Sequence, residues 1–422
     1  MQAKTSLTTV LAVIALYLVA APAASALTFT CSTVVQKKVP DPSGEPLRSR
    51  FAEPAINRQG DVVFVGKTSQ RRLYLYPSTG PASILASESG PAPGGGAFTK
   101  FRTPSINDAG DIGFFGDLEA GEGIFVHESG GGLVKAAVSG DAAPPPGGTF
   151  DLFPAASPVN AAGDIAFVAT VSGGSGGVFL FDRSAATVLA VARAGDPTGD
   201  GRRFCDLPAD IGLGLSDLGN AVFKATTKVD CADATESETL GLWQRSGVSF
   251  TAVAEVGGPA PLAGTTYARF FITPFANGSD VVLLRAQTAG ATAATGLFLF
   301  DPAGPSTSKV AVHGDAAPGA DGELKKIASP GGLTNAGRSL FRSSVKRGTT
   351  RDGIFLFDGS PEAVVLGSDP APADSFGPGS IFRRLQEQTG VDRSGTQVTF
   401  SAKVKDTIKP SGKTALFRCT GS

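Results

Sequence analysis

Apolar and polar positions alternate in short runs along most of the chain, and the runs come in a recurring order. Residues 105–115 read SINDAGDIGFF and residues 158–168 read PVNAAGDIAFV: an apolar stretch, a turn built on Asn and Gly, then alternating apolar residues. Period-two alternation broken by such a turn is the pattern of a β-hairpin, with glycine where the backbone needs a positive φ. The phrase returns as AINRQGDVVF from Ala55, LSDLGNAVF from Leu215 and LTNAGRSLF from Leu333, and more weakly as FANGSDVVLL from Phe275 and VDRSGTQVTF from Val391. These seven copies place the turn residue at Gly60, Gly110, Gly163, Gly219, Ser279, Gly337 and Gly395.

A third strand follows each hairpin, as in GVFLFD from Gly177, GLFLFD from Gly296 and GIFLFD from Gly353. A fourth follows that, as in TVLAVA, and runs into a Gly/Pro/Asp loop such as GDAAPPPGG. No segment carries sustained helical periodicity, so the chain is expected to be all-β. Four antiparallel strands recurring at a fixed period describe the blade of a propeller. The expected fold is a seven-bladed β-propeller of four-stranded antiparallel blades. The seventh copy lacks a fourth strand after it, and CSTVVQKKVPDP from Cys31 reads as that missing strand. The N-terminal strand would then complete the last blade and close the ring.

The cysteines bear on that closure. Cys31, Cys205, Cys231 and Cys419 are an even set, as expected of an oxidising compartment. The blade register sets Cys31 opposite Cys419 and Cys205 opposite Cys231, so two disulfides are expected. Zinc is the competitor, but no pair has C-x-x-C spacing and the two histidines, His127 and His313, stand far from all four. No metal or cofactor is expected.

Lys4, the apolar run from Leu7 to Ala21 and the exit Ala24-Ser25-Ala26 are the three zones of a secretory signal. Cleavage after Ala26 would leave residues 27–422 as a single propeller domain. The apolar run is short for the roughly 20 residues of a membrane span, so no membrane insertion is expected after cleavage. The mature protein is expected to be secreted or periplasmic. With 37 basic and 38 acidic residues the net charge is −1, which gives no global attraction to nucleic acid or to an anionic membrane.

The phrases N-x-x-G-D-[IV]-x-F, G-[IVL]-F-L-F-D and V-A-x-x-G-D-x-x-P together resemble those of exported bacterial tandem-repeat proteins, an uncharacterised group often carrying a PEP-CTERM sorting tail. The resemblance implies a propeller and implies no activity. The chain ends in LFRCTGS, without an apolar tail or basic cluster, so free secretion or periplasmic residence is expected rather than surface anchoring.

Candidate chemistry is sparse. His127 and His313 sit at strand ends and read as surface residues. The glycine clusters at 94–96 and 173–177 lack the strand-loop-helix setting of a phosphate cradle. Asp61, Asp111 and Asp164 follow the turn glycine without the dense acidic spacing of a calcium loop, and read as turn-capping groups. The innermost strands RSRF, FTKF, YARF, LKKI and FRRL, however, place Arg50, Lys100, Arg269, Lys326 and Arg384 at one equivalent position, interrupted by Leu152 and Asp206. The loops entering these strands carry Asp41, Asp141, Asp196, Asp315 and Asp369. Either the two sets neutralise each other, or the basic set forms a cationic channel mouth for an anionic group.

The expected function is a non-catalytic propeller that binds an extracellular protein or an acidic glycan. Its rival is a carboxylate-dependent glycoside hydrolase or lyase, since propellers host such chemistry and two acids suffice.

Overall fold

The structure is a computed structural model and describes residues 27–48, 51–172, 176–207, 212–271, 273–304, 306–405 and 412–422. Residues 1–26, where a signal is expected, and Arg50 lie outside the described residues. Among the described residues the strands form seven antiparallel sheets, and helix is confined to the single turn Ala373–Phe376. The second blade shows the common plan: Phe98–Ile106, Ile112–Leu118, Gly121–His127 and Leu133–Val138 follow one another from the channel outward.

The seventh blade takes Ile381–Val391, Gln397–Lys405 and Lys413–Gly421 from the end of the chain and Phe29–Gln36 from its beginning. Cys31 stands directly opposite Cys419 in that last ladder, and the two are bonded. Cys205 and Cys231 form the second disulfide. The closed ring and both pairings expected from the repeat are therefore present.

The recurring Asn explains why the phrase exists. In the second blade the Oδ1 of Asn107 accepts from the N–H groups of Ala109 at 3.1 Å and Asp111 at 2.8 Å, closing its own turn. Its Nδ2 donates to the carbonyl of Asn160 in the next blade at 2.9 Å. Asn160 passes the pattern on to Ser216 at 3.3 Å, and Asn277 reaches Thr334 at 2.9 Å. A buried amide satisfied on both sides thus fixes the turn and stitches adjacent blades.

The Asp that follows the turn is structural too. Asp61, Asp111 and Asp164 accept from the N–H groups of Ser78, Ser129 and Arg183 at 2.7, 3.0 and 3.0 Å, tying this turn to the one between the third and fourth strands. In the fifth blade the left-handed residue is Asp280, φ 62°, and not Ser279. Counting from the capping Asn277 rather than from the glycine gives the right position.

The core lies between blades. One cluster joins Phe115, Ile124 and Val126 of the second blade to Phe150, Phe153, Phe167 and Phe179 of the third, all buried. The aromatic rings meet mostly edge-on or tilted, as for Phe150 and Phe179 at 4.9 Å and 87°, a geometry that adds about 1 kcal/mol per pair beyond burial.

Candidate functional site at the central channel

The innermost strands share a local device that sets what the channel mouth displays. In five blades the ladder to the second strand skips one residue, between Phe98 and Lys100, Phe204 and Asp206, Tyr267 and Arg269, Leu324 and Lys326, and Phe382 and Arg384. Such a bulge puts two residues of one strand opposite one of its partner and re-aims their side chains. The result is a buried apolar residue, two outward residues, and a second buried apolar residue. Phe98 and Phe101 are buried around exposed Thr99 and Lys100, and Phe382 and Leu385 around exposed Arg383 and Arg384.

The paired outward residues form a rim of uneven charge. Blades five, six and seven present Arg269, Lys325, Lys326, Arg383 and Arg384, and blade two presents Lys100. Blades three and four present Asp151 with Leu152, and Asp206. The rim is therefore a cationic arc facing a shorter acidic one.

Neutralisation by the loop aspartates does not occur at Lys100, Arg269 or Arg384, none of which pairs with a carboxylate among the described residues. Four of those aspartates turn back onto the preceding fourth strand instead. Asp141 pairs with Lys135 at 2.8 Å and Asp315 with Lys309 at 3.0 Å. Asp196 and Asp369 accept from the N–H groups of Arg193 and Leu366 at 2.8 and 2.7 Å. Asp41 is buried, accepting from Arg72 at 2.6 Å, Tyr74 at 2.8 Å and Ser43. Burial pushes its carboxyl up, but the hydrogen bonds from Ser43, Tyr74 and Arg72 outweigh that and hold it at about 2. Arg269 rests 5.1 Å from the Phe271 ring.

Three to four residues further along the same strands lies a central cavity of about 410 Å³ with walls from all seven blades. Its wall changes character with depth. Nearest the rim stand Glu53, Thr103, Thr273, Gln388 and Thr389, then Pro54, Pro104 and Pro330, then the aliphatic residues Ile56, Ile106, Val159, Leu215, Leu333 and Val391. Neighbouring blades interlock at the polar level: Gln388 Oε1 accepts from the Glu53 N–H at 3.0 Å, and Glu53 in turn accepts from the Thr103 N–H. Glu53 and Thr103 hold φ of 51° and 46°, left-handed values that a non-glycine residue keeps only when its surroundings enforce them.

Arg393 forms the far end. From the hairpin turn of blade seven it crosses to the opposite side of the ring, pairing with Asp217 of blade four at 2.7 Å and donating to the Val159 carbonyl of blade three at 3.4 Å. Asp217 is held for this by the Ala161 N–H at 2.9 Å. The bridge spans the channel at the hairpin-turn face.

Neither histidine enters the channel. His313 is exposed, and His127 ends its strand beside a smaller cavity of about 300 Å³ between blades one and two. Among the described residues the two carboxylates in the channel wall are already engaged, Glu53 by Thr103 and Asp108 by Arg58 at 3.3 Å. No group of three or more His, Cys, Asp or Glu among the described residues could hold a metal ion. No helix among them is long and apolar enough to cross a membrane.

The profile of a family of unknown function, DUF7453, matches residues 30–299, more than half of the chain. The chain belongs to DUF7453. No curated protein matches this DUF7453 member. Its solved structural neighbours include the β-propeller domain of the Trilobed protease from Pyrococcus furiosus, at 10% identity and TM-score 0.48, covering 87% of this chain and 94% of that one. A protein of unknown function from Dyadobacter fermentans matches at 11% identity and TM-score 0.35, covering 93% and 99%. The Pyrococcus horikoshii acylaminoacyl peptidase matches at 9% identity and TM-score 0.46, covering 87% of this chain and 52% of that enzyme. At these identities the likeness is one of fold alone.

Proposed function

We propose that this DUF7453 member is an exported propeller, residues 27–422 after removal of a signal at 1–26, that binds an acidic glycan at the rim of its channel. The carrying observation is the cationic arc. The bulges turn Arg269, Arg383 and Arg384 outward at one level of the ring, and none of them pairs with a carboxylate among the described residues. Like charges held close together are unfavourable unless an anion offsets them, and guanidinium groups bind carboxylate or sulfate with paired hydrogen bonds. Lys100 and Lys326 extend the arc, and Arg50 falls at the same sequence position in blade one.

The two disulfides fit an oxidising, extracytoplasmic compartment. A binding role is favoured over carboxylate catalysis by the state of the acids. Among the described residues, the carboxyls whose pKa is displaced, including Asp41, Glu45 and Asp200 at about 2, are displaced downward. A general acid requires displacement in the other direction. An array of acidic and neutral glycans tests the reading: retention of uronate or sulfated chains with no retention of neutral ones is expected, and retention of neutral chains alone would refute it.

A further inference from the structure

The rim accounts for charge, but the cavity beneath it has a different chemistry. Its deepest level is aliphatic, made by Ile56, Ile106, Val159, Leu215, Leu333 and Val391. The Arg393–Asp217 bridge spans the ring at the far end of that level. At about 3.3 Å per strand residue, the basic positions stand roughly 10 Å along the strand from the polar level, and the aliphatic level lies roughly 10 Å beyond that. A solute entering from the rim therefore meets cationic side chains, then hydroxyl and amide groups, then an apolar well that ends at the bridge. At about 410 Å³ the cavity as a whole falls within the size range of small-molecule pockets.

We propose that the channel is a second binding site, for a long-chain amphipathic organic anion whose headgroup lies at the cationic rim and whose aliphatic tail spans the roughly 20 Å to the well beside the Arg393–Asp217 bridge. Two facts choose this ligand class. The order of polarity along the channel matches an anion with an apolar tail, and the floor guanidinium is already satisfied by Asp217 and the Val159 carbonyl, leaving no call for a second charged end. The headgroup contact rests on the rim being an anion site, as proposed above. The tail contact does not.

The test is a displacement titration of the intact, disulfide-bonded protein with octanoate, hexadecanoate and uncharged monohexadecanoylglycerol, using 8-anilinonaphthalene-1-sulfonate as the fluorescent probe. Hexadecanoate is long enough to join rim and well and octanoate is not, so hexadecanoate should displace the probe and bind at least ten-fold tighter, each further buried methylene removing apolar area from water. Narrowing the polar level by Ala156→Leu or filling the well by Ala276→Leu should weaken hexadecanoate at least ten-fold and leave acidic-glycan retention at the rim unchanged. Arg269→Gln with Arg384→Gln should weaken hexadecanoate but not the uncharged ester. Equal affinity for octanoate and hexadecanoate in the wild-type protein would overturn the proposal whether or not the variants fold. So would wild-type hexadecanoate affinity in both leucine variants. Loss of glycan retention with the hexadecanoate preference intact would instead count against the rim reading alone.

Discussion

Cys31 and Cys419 occupy one rung of the ladder between the first and last strands of the propeller, and their bond joins residues 388 apart in sequence. Without it the ring is held shut by the hydrogen bonds and packing of a single outer strand. Loop-entropy arithmetic for so long a loop gives an upper figure of about 6 kcal/mol, and removal of a native disulfide commonly costs about 2 to 5. Cys31→Ser with Cys419→Ser should therefore lower the midpoint of thermal unfolding markedly. Cys205→Ser with Cys231→Ser, which opens a loop of 26 residues, should lower it less. Differential scanning of the two pairs, together with non-reducing peptide mapping, checks both the order and the connectivity.

Asn107 offers a test of blade stitching. Asn107→Ala removes the turn-closing acceptor and the donor to the Asn160 carbonyl together, at a cost of about 2 to 4 kcal/mol for buried groups left unpaired. Asn107→Asp keeps the acceptor, loses the donor and sets a second carboxylate beside Asp111. If the interblade bond matters as much as the turn, the Asp variant should be nearly as unstable as the Ala variant in denaturant titration. A fully stable Asp variant would reduce the residue to a local turn cap.

The span from Arg393 to Asp217 predicts energetic coupling between blades at opposite sides of the ring. Both side chains are largely covered, at 18% and 16% exposure, so the pair should be worth more than an exposed one, about 1 to 2 kcal/mol. A double-mutant cycle with Arg393→Ala and Asp217→Ala measures it, and additive losses would mean that no strut exists.

Asp41 gives a pH signature. Its folded value of about 2 lies below the ordinary 3.8, so its contribution is complete above the ordinary value and is lost as pH falls from about 4 toward 2. The displacement corresponds to about 2 kcal/mol. Asp41→Asn should lower stability near neutral pH and flatten that part of the acid limb, as followed by urea titration between pH 5 and 2.

Much of the fold is legible in the sequence because the hairpin turn of each blade makes the same backbone demand, met by a capping Asn in four blades and by Ser216, Thr334 and Asp392 in the others. The seam is legible because cysteine positions can be checked against strand register. The rim is legible in part. Arg269 and Arg384 stand out by position, but simple alternation along the strand would bury one of each adjacent pair. Only the skipped rung after Phe382 or Tyr267 turns both outward.

The loop aspartates mislead for a related reason. Their partners, such as Lys135 for Asp141, are chosen by a tight turn six residues long and not by the neighbouring ring of charge. Arg393 is silent in the sequence altogether. It occupies an ordinary turn position, and its partner is set by the diameter of a ring that closes only in three dimensions.

The central claim is that the bulged innermost strands present a working cationic arc. Its most direct test is titration of the purified protein with a uronate-rich glycan at low salt, comparing wild type with the Arg269→Gln, Arg384→Gln double variant. The account predicts saturable binding that weakens with added salt and falls at least ten-fold in the double variant, while thermal stability stays close to wild type. Equal binding by the two proteins across the salt series would contradict it.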